Sequence, residues 1–259
     1  MNIPKAMFFD VDGTLLEQDF MPESTKKALR YARDKGVLLF LATGRHKQEI
    51  KEVEELAEFK FDGVVSLNGG YCYVDDNTIY KKAMNKKAVR MVVDYIVKNP
   101  STCMFCEEHE KYAGTGSPVY ADIFQMVTFG DNALDYDFLM QLPGIALTSW
   151  TEGCYDVVPT GTNKWAGILH MAKHFGLNPN EIATIGDSQN DIAMLANAKY
   201  SIAMGNASDE IKKHAKYVTA NIKDNGILQA VNFLFNKRSN CVTLGRVLEQ
   251  NKIKDFSKI

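Results

Sequence analysis

Residues 6–16 read Ala6-Met7-Phe8-Phe9-Asp10-Val11-Asp12-Gly13-Thr14-Leu15-Leu16, and the fold turns on how this stretch is read. An apolar run of strand length meets two carboxylates one residue apart, then a glycine that lets the chain turn away. Strand side chains alternate with period two, so Asp10 and Asp12 can leave the strand end on the same side. Two acids held together repel each other unless a cation or a shared proton relieves them, and perturbed acids cluster at functional sites. A calcium loop also begins Asp-x-Asp, but an EF-hand needs Gly at its sixth position and Glu at its twelfth. Here Gly13 is fourth and Met21 is twelfth, so that reading fails. An ordinary strand-to-helix turn with solvated acids remains as the alternative, and the rest of the chain has to decide.

Outward from this stretch, strands and helices alternate, which points to a mainly parallel sheet covered on both faces. Ser24 or Thr25 is expected to cap a helix with apolar positions Ala28, Leu29 and Ala32, ending near Gly36. Val37–Ala42 is a continuous apolar run, as in a strand buried on both faces. It ends at Thr43-Gly44-Arg45, and a charged helix is expected from about His46 to Glu58. Gly63–Leu67 reads as a third strand ending at Asn68-Gly69-Gly70, and Tyr71–Tyr80 as a hairpin turning at Asp75-Asp76-Asn77.

The rhythm changes near Lys81. Val89, Val92, Val93, Ile96 and Val97 keep helical spacing up to Asn99-Pro100. Strand candidates follow at Thr102–Cys106 and Lys111–Ala113, helical stretches near Val119–Val127 and Leu134–Gln141, then strands at Ile145–Trp150 and Tyr155–Val158. This mixed α+β run reads as a separate small domain. The alternation returns after Pro159. A helix carries Trp165, Ile168, Leu169, Ala172 and Phe175, and Ile182–Ile185 forms a strand running into Gly186-Asp187-Ser188-Gln189-Asn190-Asp191. A helix from Ile192, the strand Ser201–Met204, the helical Asp209–His214, the strand Tyr217–Thr219 and the helix Gly226–Phe235 complete the core. The polar tail from Lys237 has no assigned structure.

Asp10 and Asp12, Thr43 and Asp187 thus all stand at strand ends, and ligands of open α/β sheets bind beyond the carboxyl ends of the strands. Lys164 starts a helix. Together these residues supply a nucleophile, a second acid, a hydroxyl donor, an ammonium and a further acidic cluster. That set suits metal-assisted phosphoryl transfer, with negative charge on the metal side and donors on the phosphate side. Singly, each has a plainer reading. Thr43 could be a polar strand end, Lys164 a solvated helix-start lysine, and Asp187–Asp191 a helix cap favoured by the dipole. In this order and combination the plainer readings fail together.

The same order resembles the haloacid dehalogenase superfamily motif by motif. Asp10-x-Asp12 is similar to its first motif, Thr43-Gly44-Arg45 to its second, Lys164 to its third, and Gly186-Asp187-x-x-Asn190-Asp191 to its fourth. The insertion between the second and third motifs resembles the α/β cap of the Cof-type (class IIB) sugar-phosphatase branch. Trp165 departs from the family, where a small residue commonly follows the motif lysine, and the cap is short. The resemblance implies a Rossmann-like parallel-sheet core of residues 1–80 and 159–259, an α+β cap over 81–158, and a tail from about 237 to 259. It implies that Asp10 is the nucleophile that forms an aspartyl-phosphate and Asp12 the general acid and base. Mg2+ would be held by the Asp10 side chain, the Asp12 carbonyl and Asp187, with Asn190 and Asp191 nearby. Thr43, Gly44, Lys164 and Asn190 would hold the phosphoryl oxygens. Substrate choice would rest with Asn68, Gly69 and Arg45 on the core and Glu107, Glu108 and His109 on the cap.

Composition agrees with such a protein. Over 259 residues, 46% are hydrophobic and 24% charged, ordinary for a globular chain. The net charge of −2 leaves no basic footprint for nucleic acid. No apolar segment approaches membrane-spanning length and no signal-like h-region opens the chain, so a cytoplasmic protein, monomer or small homo-oligomer, acting on a small phosphorylated metabolite is expected. The cysteines, Cys72, Cys103, Cys106, Cys154 and Cys241, are expected to be buried free thiols, since Cys103-x-x-Cys106 has no second pair to complete a metal site. His170 and His174 lack the glutamate of a zinc-protease helix, because Met171 follows His170. A phosphomutase of this superfamily usually carries a helical cap just after the first motif, and the short Asp12–Thr43 interval has no room for one. A phospho-receiver module would be about half this length and would lack the acids after Lys164. A catalytically dead binding protein would be expected to break one of the four motifs, and none is broken.

Overall fold

The computed structural model describes residues 3–113, 121–151, 153–236 and 242–243. In chain order its strands and helices are β1 (Ala6–Phe9), α1 (Glu23–Asp34), β2 (Leu38–Ala42), α2 (Lys47–Glu52), α3 (Glu54–Glu58), β3 (Gly63–Ser66), β4 (Tyr71–Val74), β5 (Asn77–Lys81) and α4 (Lys86–Lys98). Then come β6 (Cys103–Cys106), β7 (Lys111–Ala113), β8 (Gln125–Thr128), α5 (Tyr136–Leu139), β9 (Ile145–Thr151), β10 (Cys154–Pro159) and α6 (Lys164–His174). The last are β11 (Ile182–Gly186), α7 (Ile192–Asn197), β12 (Tyr200–Ala203), α8 (Asp209–Lys212), β13 (Tyr217–Val218), α9 (Gly226–Asn236) and β14 (Val242–Thr243). They fall into two compact units, Met1–Leu41 with Phe175–Ile259, and Ala42–His174.

In the first unit the strand order is β14-β13-β12-β11-β1-β2. Every pairing is parallel except β13 with β14. Each residue of β1 is fully buried, as an all-apolar strand covered on both faces must be. Phe8 stacks on Phe40 at 4.5 Å, and Phe175 meets Phe40 edge-on at 5.0 Å. Helix α1 turns Thr25, Ala28, Leu29 and Ala32 inward, the three-and-four spacing of an amphipathic helix, and Tyr31 packs edge-on against Phe235 of α9 at 5.5 Å. The N-cap of α1 is Pro22 rather than Ser24 or Thr25. Thr25 is buried instead, so packing takes the residue that capping would have used.

The second unit holds the antiparallel hairpins β3-β4 and β4-β5 and a separate antiparallel sheet of order β7-β6-β8-β10-β9. The expected turn of the β4-β5 hairpin is present: Asp75 adopts φ 51° there. Helix α4 covers the five-stranded sheet, with Ala88, Val89, Val92 and Val93 packed on Cys103, Phe105, Met126 and Val157. Two local expectations are corrected. The helix expected over His46–Glu58 is two helices, because Val53 between them is buried with extended φ/ψ of −88° and 105°. The helical stretch expected near Val119–Val127 ends instead as strand β8, paired on one side with β6 and on the other with β10; residues 114–120 lie outside the described residues.

Helix α6 lies against β3 and the turn after it. The close approach falls at Gly167, two positions beyond the bulky Trp165. A Cβ on Gly167 would come 2.5 Å from Val65 Cγ1 and 2.8 Å from Gly69 Cα. Gly167→Ala is therefore expected to destabilise by about 1–3 kcal/mol through overpacking, although alanine is the better helix former. A lower urea midpoint at unchanged slope checks this; an unchanged or higher midpoint would mean that the contact can give way.

Cys72, Cys103, Cys106 and Cys154 are buried and free, and burial pushes the Cys72 and Cys103 thiols up to about 12, which disfavours the reactive thiolate at those two positions. Cys241 lies outside the described residues. Among the described residues no helix is long and apolar enough to cross a membrane.

Candidate active site

In the first unit the register of β1 on β11 sets Phe9 beside Ile185, and the Asp10 N–H donates to the Ile185 carbonyl at 2.9 Å. Parallel neighbours end together, so the residues after them, Asp10 on one side and Gly186-Asp187 on the other, emerge at one sheet end. Asp10 is 4% exposed and Asp191 fully buried. One carboxylate oxygen from each of Asp10, Asp187 and Asp191 lies within 4.8 Å of the others. Three carboxylates at that spacing repel strongly unless a cation sits among them. Their hard oxygen donors, with no thiolate or imidazole in the set, fit Mg2+.

The neighbours of these acids hold them in place. The Asp191 carboxylate accepts the backbone N–H groups of Asp187 and Ser188, both at 2.9 Å. It lies so close to Gly186 that a Cβ there would sit 2.5 Å from its Cγ. Thr14 Oγ1 donates to Asp187 Oδ1 at 2.8 Å, and Asn206 Nδ2 donates to Asp187 Oδ2 at 3.3 Å and to the Gly13 carbonyl at 2.9 Å. Such partners fix a ligand's orientation. Gly13 has φ 78°, a left-handed conformation that glycine adopts without strain. Asp12 is exposed, and the three-acid cluster among the described residues is Asp10, Asp187 and Asp191. Asn190 is half-buried in the short turn Gln189–Asp191. Thr14 and Asn206 were not singled out from the sequence; a hydroxyl directly after the first motif and an asparagine just past the end of β12 are the signals that could have found them.

In the second unit Thr43 and the loop after β3 brace each other. The Thr43 N–H donates to the Val65 carbonyl at 2.8 Å, and the Asn68 N–H donates to the Thr43 carbonyl at 3.0 Å. Thr43 Oγ1 accepts the Arg45 N–H at 3.1 Å, and Ser66 Oγ donates to the Arg45 carbonyl at 2.7 Å. Thr43 and Lys164 are both buried, at 1% and 0% exposure. A lysine without solvent access at a helix start is far from the solvated default. Gly69 has φ 93°, and a Cβ there would lie 2.2 Å from the Asn163 carbonyl oxygen just before Lys164, so glycine lets these two loops touch.

Asn68 adopts a left-handed φ of 52° and is 2% exposed. Its Nδ2 donates to Asp156 Oδ2 on β10 at 2.8 Å and to Gln125 Oε1 on β8 at 3.0 Å. Burial pushes the Asp156 carboxyl up to about 6, against the Asn68 hydrogen bond and the nearby positive charge of Lys164. Neither Asp156 nor Gln125 was found from the sequence. The signal for Asp156 is a lone acid within an otherwise uncharged strand.

The expected cap residues differ among themselves. Glu108 accepts from Lys81 Nζ at 2.7 Å, Thr78 Oγ1 at 2.9 Å and Tyr71 Oη at 3.3 Å, and the lysine hydrogen bond holds its carboxyl below the usual range. The Glu107 carboxylate accepts the Tyr112 hydroxyl at 2.6 Å, and its carbonyl faces His46 Nε2 at 2.9 Å. His109 is exposed. His46 Nδ1 accepts the Gln48 N–H at 3.2 Å, so Nε2 carries the proton toward Glu107, and burial lowers the pKa of the ring.

Comparison with known proteins bears on both groups of residues. The family model described as haloacid dehalogenase-like hydrolase matches residues 7–137 and 121–231. A Streptococcus pyogenes (serotype M6) protein, named as a candidate bifunctional phosphatase/peptidyl-prolyl cis-trans isomerase, is 30% identical over 255 residues, covering 88% of this chain and 53% of that protein. The chain thus spans about half of that relative. The Bacillus subtilis (strain 168) 5-amino-6-(5-phospho-D-ribitylamino)uracil phosphatase YcsE is 26% identical, over 88% of this chain and 94% of that one. Among solved structures, the subclass IIB sugar phosphatase BT4131 superposes with a TM-score of 0.81 at 33% identity, covering 88% of this chain and 98% of that one. This chain belongs to the haloacid dehalogenase-like hydrolases, in their Cof-type, subclass IIB branch.

Proposed function

We propose that this chain, by its family a phosphoric monoester hydrolase, is a Mg2+-dependent phosphatase of small phosphorylated metabolites. Sugar phosphates are the leading class, and an aspartyl-phosphate on Asp10 is the intermediate. The observation that carries this reading is the cluster of Asp10, Asp187 and Asp191 at the ends of β1 and β11. The likeness to a solved sugar phosphatase supports the substrate class. Residues 81–158 serve as the cap.

Asp10, Asp187 and the Asp12 carbonyl hold the ion, with Asn190 and Asp191 beside them; once bound, Mg2+ supplies positive charge to the phosphoryl oxygens. An Asp10 carboxylate oxygen attacks phosphorus as the bond to the leaving oxygen breaks, and Asp12 gives that oxygen its proton. Asp12 then takes a proton from water, whose oxygen attacks the same phosphorus and releases Asp10 and inorganic phosphate. Lys164, Thr43 and the amides near Gly44 hold phosphoryl oxygens and offset their charge. Asn68, Gly69, Arg45, Glu107, Glu108 and His109 are the proposed specificity set. Within the cap set Glu108 is held by its ion pair with Lys81 and Glu107 by the Tyr112 hydroxyl, and His109 is the exposed member.

The test is phosphate release from a panel of hexose and pentose phosphates, 5-amino-6-(5-phospho-D-ribitylamino)uracil, flavin mononucleotide, pyridoxal phosphate and nucleotides, with Mg2+ and with EDTA. Sugar phosphates should turn over fastest and EDTA should abolish release. Release that survives EDTA would overturn the metal assignment. Transfer of phosphate to a second sugar hydroxyl instead of water would mark a mutase, and a stable phosphorylated chain without turnover would mark a receiver.

A further inference from the structure

We propose that Asp156 is a positioning residue for the phosphate-holding loops: its carboxylate fixes the Asn68 carboxamide, and through it the Thr43-Gly44 backbone. The inference rests on the phosphatase reading for what those loops do, but its geometry lies wholly within the Ala42–His174 unit.

Both Nδ2 hydrogens of Asn68 are committed, one to Asp156 Oδ2 at 2.8 Å and one to Gln125 Oε1 at 3.0 Å. With its oxygen accepting, Gln125 turns its own amide nitrogen to the Gly44 carbonyl, at 3.2 Å. Asn68 therefore donates both ways, to a carboxylate at one end and to Gln125 Oε1 at the other, and Gln125 in turn donates to the Gly44 backbone. The Gly44 carbonyl, which can only accept, and an ionised Asp156, which can only accept, demand the same orientation of the two carboxamides from opposite ends. Protonation of Asp156 removes the charge that strengthens its bond and lets the carboxyl donate, which loosens the hold on Asn68 at that end. The amide sits directly over Gly44, where a Cβ would meet Asn68 Nδ2 and Asp156 Oδ2 each at 3.2 Å. The Asn68 backbone N–H, held in the left-handed conformation, bonds the Thr43 carbonyl. Reorienting the carboxamide therefore disturbs the two loops together.

Asp156 is 4% exposed. The titratable groups around it are Lys164 on α6, Lys111 on β7, Glu49 on α2 and the neutral Cys106 thiol on β6. Lys164 and Lys111 favour its ionised form and Glu49 opposes it. Burial dominates and leaves the carboxyl near 6, so the group is charged at neutral pH and loses its charge just below.

The test compares kcat/KM for wild type and Asp156→Asn on one sugar phosphate from pH 5 to 8, read as a ratio so that ionisation of the substrate cancels. A charge-assisted hydrogen bond predicts a wild-type advantage of about ten-fold at pH 8 that falls toward one at pH 5. A ratio of one throughout, or a ratio constant with pH, would overturn the proposal. Because the variant could misfold, the Asn68 side-chain amide resonances are also followed in wild-type protein. They should titrate with a midpoint near pH 6, and a flat profile would overturn the proposal. A wild type that turns over nothing while Asn68 titrates would remove the phosphatase reading and the catalytic role of the bond but leave the bond itself standing.

Discussion

Asp10→Asn is expected to lower phosphate release by about 10^4-fold or more, the scale at which removing a covalent nucleophile acts. An amide is isosteric with the carboxylate, and the Asp10 backbone bond to the Ile185 carbonyl does not involve the side chain, so the fold should survive. The charge change has a second consequence. Without metal, Asp10, Asp187 and Asp191 repel one another within their 4.8 Å cluster, and neutralising one relieves that repulsion. The melting temperature of the variant in EDTA should equal or exceed that of wild type. The rise on adding Mg2+ should be smaller than in wild type, because stabilisation by a ligand follows its affinity for the native state. Loss of activity together with a large drop in melting temperature in EDTA would mean that Asp10 is a structural residue.

The second large effect is expected at Gly13. A Cβ there would stand 2.3 Å from Asp187 Oδ2 and 2.9 Å from its Cγ, on a backbone with φ of 78°. Left-handed backbone costs a non-glycine residue about 1–2 kcal/mol, but the larger effect falls on the carboxylate. Gly13→Ala must displace the Asp187 carboxylate that Thr14 and Asn206 orient. Disturbing the orientation of a metal ligand typically costs about 10–100-fold in affinity. Magnesium titration followed by calorimetry should show that loss, with turnover partly recovered at high Mg2+. Unchanged Mg2+ affinity would mean that Asp187 is not a ligand.

How legible each part was follows from how local its cause is. Strand β1 and the acids that end it were legible because the apolar run, the two carboxylates and Gly13 are contiguous, and each imposes its conformation within a few residues. Strands β6, β7, β9 and β10 were legible for the same reason. Strand β8 was not. Phe124-Gln125-Met126-Val127 carries no strict alternation, and its extended form depends on pairing with β6 and β10 at once, partners that a local reading does not contain. The break at Val53 likewise comes from burial, not from a breaker residue.

The same distinction separates the site residues. Asp10, Thr43, Lys164 and Asp187 stand at element ends, where an unusual side chain is conspicuous. Asp156 lies inside a strand and Gln125 at the start of one that was read as helix; their partner Asn68 is 57 to 88 residues distant in sequence. Hydrogen-bonded networks of that span are a property of the fold, and only the buried acid in β10 hints at one. Glu107, Glu108 and His109 looked alike in sequence, yet the hairpin donors Lys81, Thr78 and Tyr71 bind the carboxylate of Glu108 alone among them.

If Asp10 carries the phosphoryl group, rapid acid quench with a 32P-labelled sugar phosphate and Mg2+ will trap it. Label should appear on the wild-type chain within the first turnover, located on the peptide containing Asp10. That label should decay into inorganic phosphate and be absent from Asp10→Asn. Steady release of inorganic phosphate with no labelled chain at any time within a turnover, or with the label on another residue, would contradict that role for Asp10.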